Sequence, residues 1–466
     1  MKMEADMLRK KYWILGILLL FPVSSLWSQD KLLLTLEGSV DLAFQNNPSY
    51  QIALKEVQKA RASVTEAYST IMPQLNTSAA YQHSWEIQES TIPNFIKIMF
   101  PPNFPGLEDM PDFVRISFGL ENTITLGASV TQPLFLGGAG IAGIKMAGAG
   151  ARAAERNLEK TRQDLMYNTV SAFYGCLVAK ELVKVQEEAL QQSQENMEMV
   201  RKKFEAGAAS KFDLMRAEVN VANTKPDAIS ARNQYKIALT RLKMVLALPM
   251  ETEIQVDGEL LYEDDDFTTK TIPDYQQMAL RSRPELQALE EQKAISRHGI
   301  SLARSNFMPK LFFTTDYSYL GMTNERKLVG VDYSRGFSSA VSLQLPLFTG
   351  LKNNKQYHKA KLDHRMMLDT QKQVTDGIIA EVEAVYNTFL EATEKYEAAS
   401  ENADLAQETF RLATMMYEEG TNTQLDVFTA QLGLTSARLN YLSSIYEYQL
   451  ARYALRKVTG NLKEII

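Results

Sequence analysis

The chain is written twice. Pro48 opens a helical pattern that runs to Pro73 in MPQL, and Pro284 opens another that runs to Pro309 in MPKL; the two spans are equal in length. Further on, Pro133, Gly207, Asp213 and Ala217 recur as Pro346, Gly420, Asp426 and Ala430, all at one constant offset. Equal spacing over so long a stretch is the mark of a duplicated structural unit. The first copy is longer between its marks: Pro73 to Pro133 is well beyond the matching span from Pro309 to Pro346. The excess sits around PPNFPGLEDMPD (101–112), a proline-rich loop between two extended segments.

Each copy has one plan: helix, two strands, a very long helix, a tight turn and a helix. No proline occurs between Leu134 and Lys225, so the long helix of the first copy is expected over Ile141–Glu205, roughly 98 Å at about 1.5 Å per residue. Met166, Val170, Phe173 and Leu177, and in the second copy Ile379, Val382, Tyr386 and Phe389, recur at helical spacing. Such stripes bury one face against neighbouring helices, and rods of this length pack as coiled coils. Asn47 before Pro48 reads as a cap followed by proline at the first helical position; Arg283 offers Pro284 no comparable cap. Pro226 is expected to kink or restart the last helix of the first copy. Glu263 to Asp266 reads as a solvated linker.

Between the helices the period changes to two. The expected strands lie near 74–89, 113–134, 310–321 and 336–348. In the second, Ile124, Leu126, Ala128 and Val130 point one way, and Thr123, Thr125, Ser129 and Thr131 the other. One apolar and one polar face fit an ordinary half-exposed sheet, or a membrane barrel with lipid outside and water inside. Strand length, the aromatics Tyr81, Trp85, Tyr317 and Tyr319, and the N-terminus favour the barrel. Four strands cannot enclose a lumen, so several chains share it: two would give eight strands and three would give twelve.

The N-terminus carries Arg9, Lys10 and Lys11, then an apolar run from Tyr12 to Phe21, then small residues, with Ser28 as the expected last residue of a cleaved signal peptide (1–28). Pro22 and the serines argue against an N-terminal anchor. Cleavage removes four basic and two acidic residues, taking the formal charge from −6 to −8, which offers nothing to nucleic acid. Cys176 is the single cysteine, so no intrachain disulfide staples the fold, and Phe173 and Leu177 nearby suggest a buried thiol. The expected layout is a first repeat at 29–248, a linker at 249–272 and a second repeat at 273–466.

QPLFLGGAGIAG (132–143) contains Gly138, Gly140 and Gly143 in the G-x-G-x-x-G arrangement of dinucleotide-binding turns. That fold needs a second strand about 30 residues on, whereas this chain stays helical, and the second copy has LPLFTGLKNN here. The glycines are therefore expected to serve strand-to-helix turns, at Gly137, Gly138, Gly140 and Gly350. Gly143, Ala147, Gly148 and Gly150 are expected to admit neighbouring helices. His83, His298, His358 and His364 lack metal-ligand spacing. Neither a phosphate-loop lysine nor a nucleophile elbow is present. No metal, cofactor or enzymatic activity is expected.

NNP with MPQL, RPEL with MPKL, QPLFLGG with LPLFTG, and the glycine turns appear in an order that resembles the TolC-like outer-membrane efflux proteins of Gram-negative bacteria. The resemblance covers almost the whole chain after the signal segment. It implies a mainly α fold with a membrane β part: long helical hairpins forming a periplasmic tunnel, under a twelve-stranded outer-membrane barrel shared by a homotrimer. It further implies a passive exit duct for efflux or type I secretion, docked on a periplasmic adaptor and an inner-membrane pump. The turns FEAGAASKFDL (204–214) and YEEGTNTQLDV (417–427) then form the periplasmic tips, with Ala206, Gly207, Ala208, Glu419, Gly420 and Thr421 contacting the adaptor. The family's gate maps onto Asp213, Tyr417, Asn422 and Asp426. Here the sequence departs from the pattern: the family's arginine is replaced by Asn422, and its second acidic ring by Thr429. A closed state held by neutral hydrogen bonds is the expectation. A periplasmic coiled-coil scaffold, with the strands forming a soluble sheet, is the competing reading.

Overall fold

The computed structural model describes residues 32–101, 105–107, 109–263, 267 and 270–462; the expected signal segment lies outside them. The first copy runs β1 (Leu32–Leu34), α1 (Leu36–Asn46), α2 (Pro48–Ser69), β2 (Gln74–His83), β3 (Glu89–Pro93), α3 (Phe95–Met99), β4 (Phe113–Ser117), β5 (Asn122–Phe135), α4 (Ala139–Glu205) and α5 (Lys211–Leu246). After β6 (Ile254–Val256), the second copy runs α6 (Ile272–Ser282), α7 (Pro284–Ser305), β7 (Lys310–Thr323), β8 (Tyr333–Gln344), α8 (Lys352–Glu418) and α9 (Gln424–Val458).

The duplication holds to the residue in the long hairpins. Helices α4 and α8 are each 67 residues long. Their ends, Glu205 and Glu418, keep the same offset as the starts of α5 and α9, Lys211 and Gln424. At 1.5 Å per residue each long helix measures about 100 Å. Asn47 caps α2 as its side chain accepts from Ser49 N at 2.9 Å. Arg283 makes no cap bond; it is buried and paired with Glu285 at 3.3 Å and with Glu381. A short helix, unread in the sequence, precedes each proline start: α1 before Pro48 and α6 before Pro284. Helix α5 continues through Pro226 rather than restarting, although the ring removes the bond to the carbonyl of Ala222 and crowds that carbonyl.

Helix α4 packs along α5 and α8 along α9, and α4 also lies against α9, joining the two hairpins. Met166, Val170, Phe173 and Leu177 are all buried, each contributing about 1.5–3 kcal/mol of apolar burial. In the second copy the stripe is Ile378, Val382, Tyr386 and Phe389, one residue away from the expected Ile379. Cys176 is fully buried, and desolvation pushes its thiol up to about 12. Part of the expected linker is ordered: β6 pairs in parallel with β1. Arg452 reaches Glu263 at 2.5 Å, so that residue is held rather than merely solvated; Asp264 to Asp266 lie outside the described residues.

Strands β2, β5, β7 and β8 form one antiparallel sheet in that order. The sheet departs from the expected spans in three places. Strand β2 ends at His83, where Ser84 N bonds Glu121 O at 2.7 Å. The segment 113–134 is two strands, β4 and β5, broken near Gly119, whose φ of +124° turns the chain; β4 pairs with β3 in a separate two-stranded sheet. Strand β8 spans Tyr333–Gln344 and stops before Pro346, which has no N–H to donate.

Register carries the alternation across the sheet. Leu75 faces Val130, which faces Thr315, which faces Ser339; Ala128 faces Tyr317, which faces Phe337. One side therefore collects Leu75, Tyr81, Ile124, Leu126, Val130, Leu311, Phe313, Tyr317, Tyr319, Phe337, Val341 and Leu343. The other collects Asn76, Ser78, Gln82, Thr123, Thr125, Ser129, Thr131, Thr314, Asp316, Ser318, Ser338 and Ser342, interrupted by Phe312, Leu320 and Met322.

Candidate functional site: the paired helical tips

Each hairpin closes with the same local device. A residue of positive φ just past the last turn is a common way to end a helix and reverse the chain, and Gly207 and Gly420 supply +74° and +80°. The following helix begins with a capping box. Ser210 Oγ accepts from Asp213 N at 3.1 Å, while Asp213 Oδ2 accepts from Ser210 N and Oγ at 3.2 and 2.6 Å. Thr423 and Asp426 repeat it, with Asp426 Oδ2 accepting from Thr423 N at 2.9 Å and from Thr423 Oγ1 at 2.5 Å. These bonds favour the ionised form, so both carboxyls are held below their ordinary value, the Ser210 hydroxyl acting on Asp213 and the Thr423 hydroxyl on Asp426.

Here the two tips meet. Val200, Ala217, Ala413, Tyr417 and Val427 form one small apolar core. Tyr417 is buried within it at 8 % exposure, and desolvation followed by the nearby Asp213 carboxylate raises its phenol pKa. Gln424 Nε2 donates to Asp213 O at 3.0 Å, linking the starts of α9 and α5. Its Oε1 is buried without a partner, as is Asn196 Oδ1. Above this core, Gln431 Nε2 donates to Ser193 Oγ at 2.8 Å and to Ala189 O at 3.0 Å, a buried polar bridge from α9 to α4.

The sequence-derived gate residues thus separate into two groups. Asp213 and Tyr417 come together where the tips touch. Asp426 is exposed and Asn422 partly exposed; both line a groove of about 830 Å³ between α8 and α9 with Leu405, Leu412, Met416 and Leu425. Asn422 N bonds Met416 O at 3.2 Å, a turn contact within its own hairpin. Ala206, Gly207, Ala208, Glu419, Gly420 and Thr421 are all exposed at the ends of the hairpins.

One residue escaped the sequence reading. Lys203, in the last turn of α4, donates from Nζ to Tyr417 O at 2.5 Å and sits 4.0 Å from the centroid of the Tyr417 ring. The contact between the two tips of the chain therefore contains a cation.

At the opposite end of the long helices, the glycines turn strand into helix. Gly137 and Gly138 have φ of +64° and +89°, and Gly350 has +60°. A Cβ at Gly137 would lie 2.6 Å from Met308 Cβ, and one at Gly140 would lie 2.4 Å from Ile71 Cγ2. No dinucleotide fold follows them, because β5 pairs only with the antiparallel β2 and β7 and a 67-residue helix comes next. A Cβ at Gly143 or Gly150 would meet nothing within 4 Å, and one at Gly148 only the far end of Arg152; helices α2 and α7 pack along this part of α4, with Ala53, Glu56 and Gln292 around Gly150.

The family model for outer membrane efflux proteins matches residues 39–248 and again 276–461. The alkaline protease secretion protein AprF of Pseudomonas aeruginosa is 22% identical over 469 residues, covering 98% of this chain and 90% of that protein. The outer membrane protein TolC of Vibrio cholerae is 22% identical over 449 residues, covering 95% and 93%. The Campylobacter jejuni CmeC outer membrane channel has a similar structure, with a TM-score of 0.73 at 18% identity, covering 92% of this chain and 86% of that one. With two matched segments spanning most of its length and the same fold as a solved channel, the chain belongs to the outer membrane efflux protein family.

Proposed function

We propose that three copies of this chain close a twelve-stranded outer-membrane barrel, continued by their helical hairpins into a periplasmic tunnel. This duct passively conducts substrate delivered by an inner-membrane pump through a periplasmic adaptor at the tips. The observation that carries this reading is the sheet β2-β5-β7-β8: apolar and aromatic residues predominate on one face, Ser, Thr and Gln on the other, and both edges are open. In hydrocarbon an unpaired edge costs several kcal/mol per exposed peptide group, so a spanning sheet must close on itself. Four strands are too few, and copies joined edge to edge supply the rest.

The helices support the same assembly. Phe212, Met215, Val219, Ile229 and Ile237 are exposed along α5, and the groove between α8 and α9 is exposed and largely apolar. Both are surfaces for a neighbouring copy. Asp213 and Asp426, kept ionised at neutral pH, would become rings of carboxylates at the tunnel mouth and favour cations. A soluble scaffold leaves the apolar sheet face and both edges in water, which costs stability and invites aggregation.

The test is planar-bilayer conductance of the detergent-extracted native complex. Discrete, cation-preferring steps are expected. A protein that never conducts, or that remains soluble without detergent, would overturn the duct.

A further inference from the structure

We propose that Lys203 is the residue that holds the second tip shut, clamping Tyr417 from the opposite hairpin by its ring face and its main-chain carbonyl. The inference rests on reading the tips as the gate of the duct. Three features converge on the ammonium. It donates to Tyr417 O at 2.5 Å, it lies 4.0 Å from the Tyr417 ring centroid, and that carbonyl belongs to the last turn of α8, the negative end of its dipole. A charge-assisted hydrogen bond and a partly desolvated cation–π contact are each stronger than a neutral bond at the same place. Lys203 also helps the end of its own helix, but that service does not require the tyrosine. The position carrying the family's charged lock is Asn422 in this chain, and its amide turns back to Met416 Sδ at 3.9 Å within the same hairpin. The cation that joins the tips comes instead from α4.

This makes the tyrosine's ring and backbone, rather than its hydroxyl, the gripped parts. Among the described residues, the Tyr417 hydroxyl makes no hydrogen bond to Asp213; the nearby carboxylate only raises its pKa. The clamp therefore predicts that Tyr417→Phe keeps the gate shut.

The experiment is resting conductance of the full-length native complex in planar bilayers, with the oligomeric mass of each variant verified first. Lys203→Met is expected to raise the open-to-closed ratio about tenfold, Lys203→Arg to stay within about twofold of wild type, and Tyr417→Phe to match wild type. Tyr417→Leu, which removes the ring face, is expected to open the tip like Lys203→Met. If Tyr417→Leu opens the duct but Lys203→Met does not, or if Lys203→Arg fails to restore closure, the clamp is wrong and the gate stands. If neither Tyr417→Leu nor Lys203→Met changes conductance, the gate reading falls and the clamp with it. If Tyr417→Phe alone opens the duct, the lock is the hydroxyl and the clamp is overturned.

Discussion

The two tips are one turn made twice and then put to different uses. Glycine geometry and capping box are the same at Gly207 and Gly420, and at Ser210–Asp213 and Thr423–Asp426. The constant offset between the copies also pairs Phe204 with Tyr417, Lys203 with Met416 and Lys211 with Gln424. In the first tip Phe204 is 38 % exposed; in the second, Tyr417 is 8 % exposed. Lys203 reaches across to the second tip, and Gln424 reaches back to the first. Duplication supplied the turn, and side-chain divergence made one hairpin the holder and the other the held. A symmetric pair of tips has no such division of labour.

The sharpest way to break this comparison is to truncate the paired aromatics. Tyr417→Ala empties a buried site and is expected to cost about 3 kcal/mol locally, whereas Phe204→Ala is expected to cost under about 1 kcal/mol. Hydrogen exchange at the two turns reads both, and equal losses would erase the distinction between holder and held. Next come the glycines, where the tips should behave alike. Gly207→Ala and Gly420→Ala each force an L side chain to positive φ in open space, at about 1 kcal/mol apiece. A large inequality between them would mean that the turns themselves have diverged.

The capping carboxylates should also match. Asp213→Ala and Asp426→Ala each remove a reciprocal cap and should speed exchange at the start of α5 and α9 by a similar factor. Both carboxyls are depressed in the folded state, so their contribution is present above the ordinary carboxylate value of about 4. It is lost as pH falls through the lowered folded value. Acidification should therefore fray both tips together; exchange corrected for its intrinsic pH dependence checks this. A smaller effect belongs to Gln424→Leu. It removes the bond to Asp213 O but also an unpartnered buried oxygen, so the cost should be about 0.5 kcal/mol. Lys211→Leu, at the matching exposed position, should cost nothing measurable.

What could be read in advance follows from the range of each signal. Equal spacing revealed the duplicated hairpins because it accumulates along the whole chain, and S-x-x-D and T-x-x-D already spell the capping boxes. The β3–β4 excursion was hidden because the stretch from Phe113 to Phe135 alternates without a change of parity, and Gly119 alone marks the break. Helices α1 and α6 were overshadowed by the proline starts behind them. Lys203 was out of reach for another reason: it meets Tyr417 across 214 residues, from one copy to the other. Nothing local to FEAGAASKFDL or YEEGTNTQLDV encodes that meeting, which exists only because α4 packs on both its own hairpin and α9.

The assembly that gives these tips a task is tested most directly by the mass of the native complex, extracted in mild detergent from the outer-membrane fraction. A complex of three chains, found in that fraction, is the predicted result. A monomer or dimer recovered from the periplasm without detergent would contradict the shared barrel and leave the tips as the ends of a soluble coiled coil.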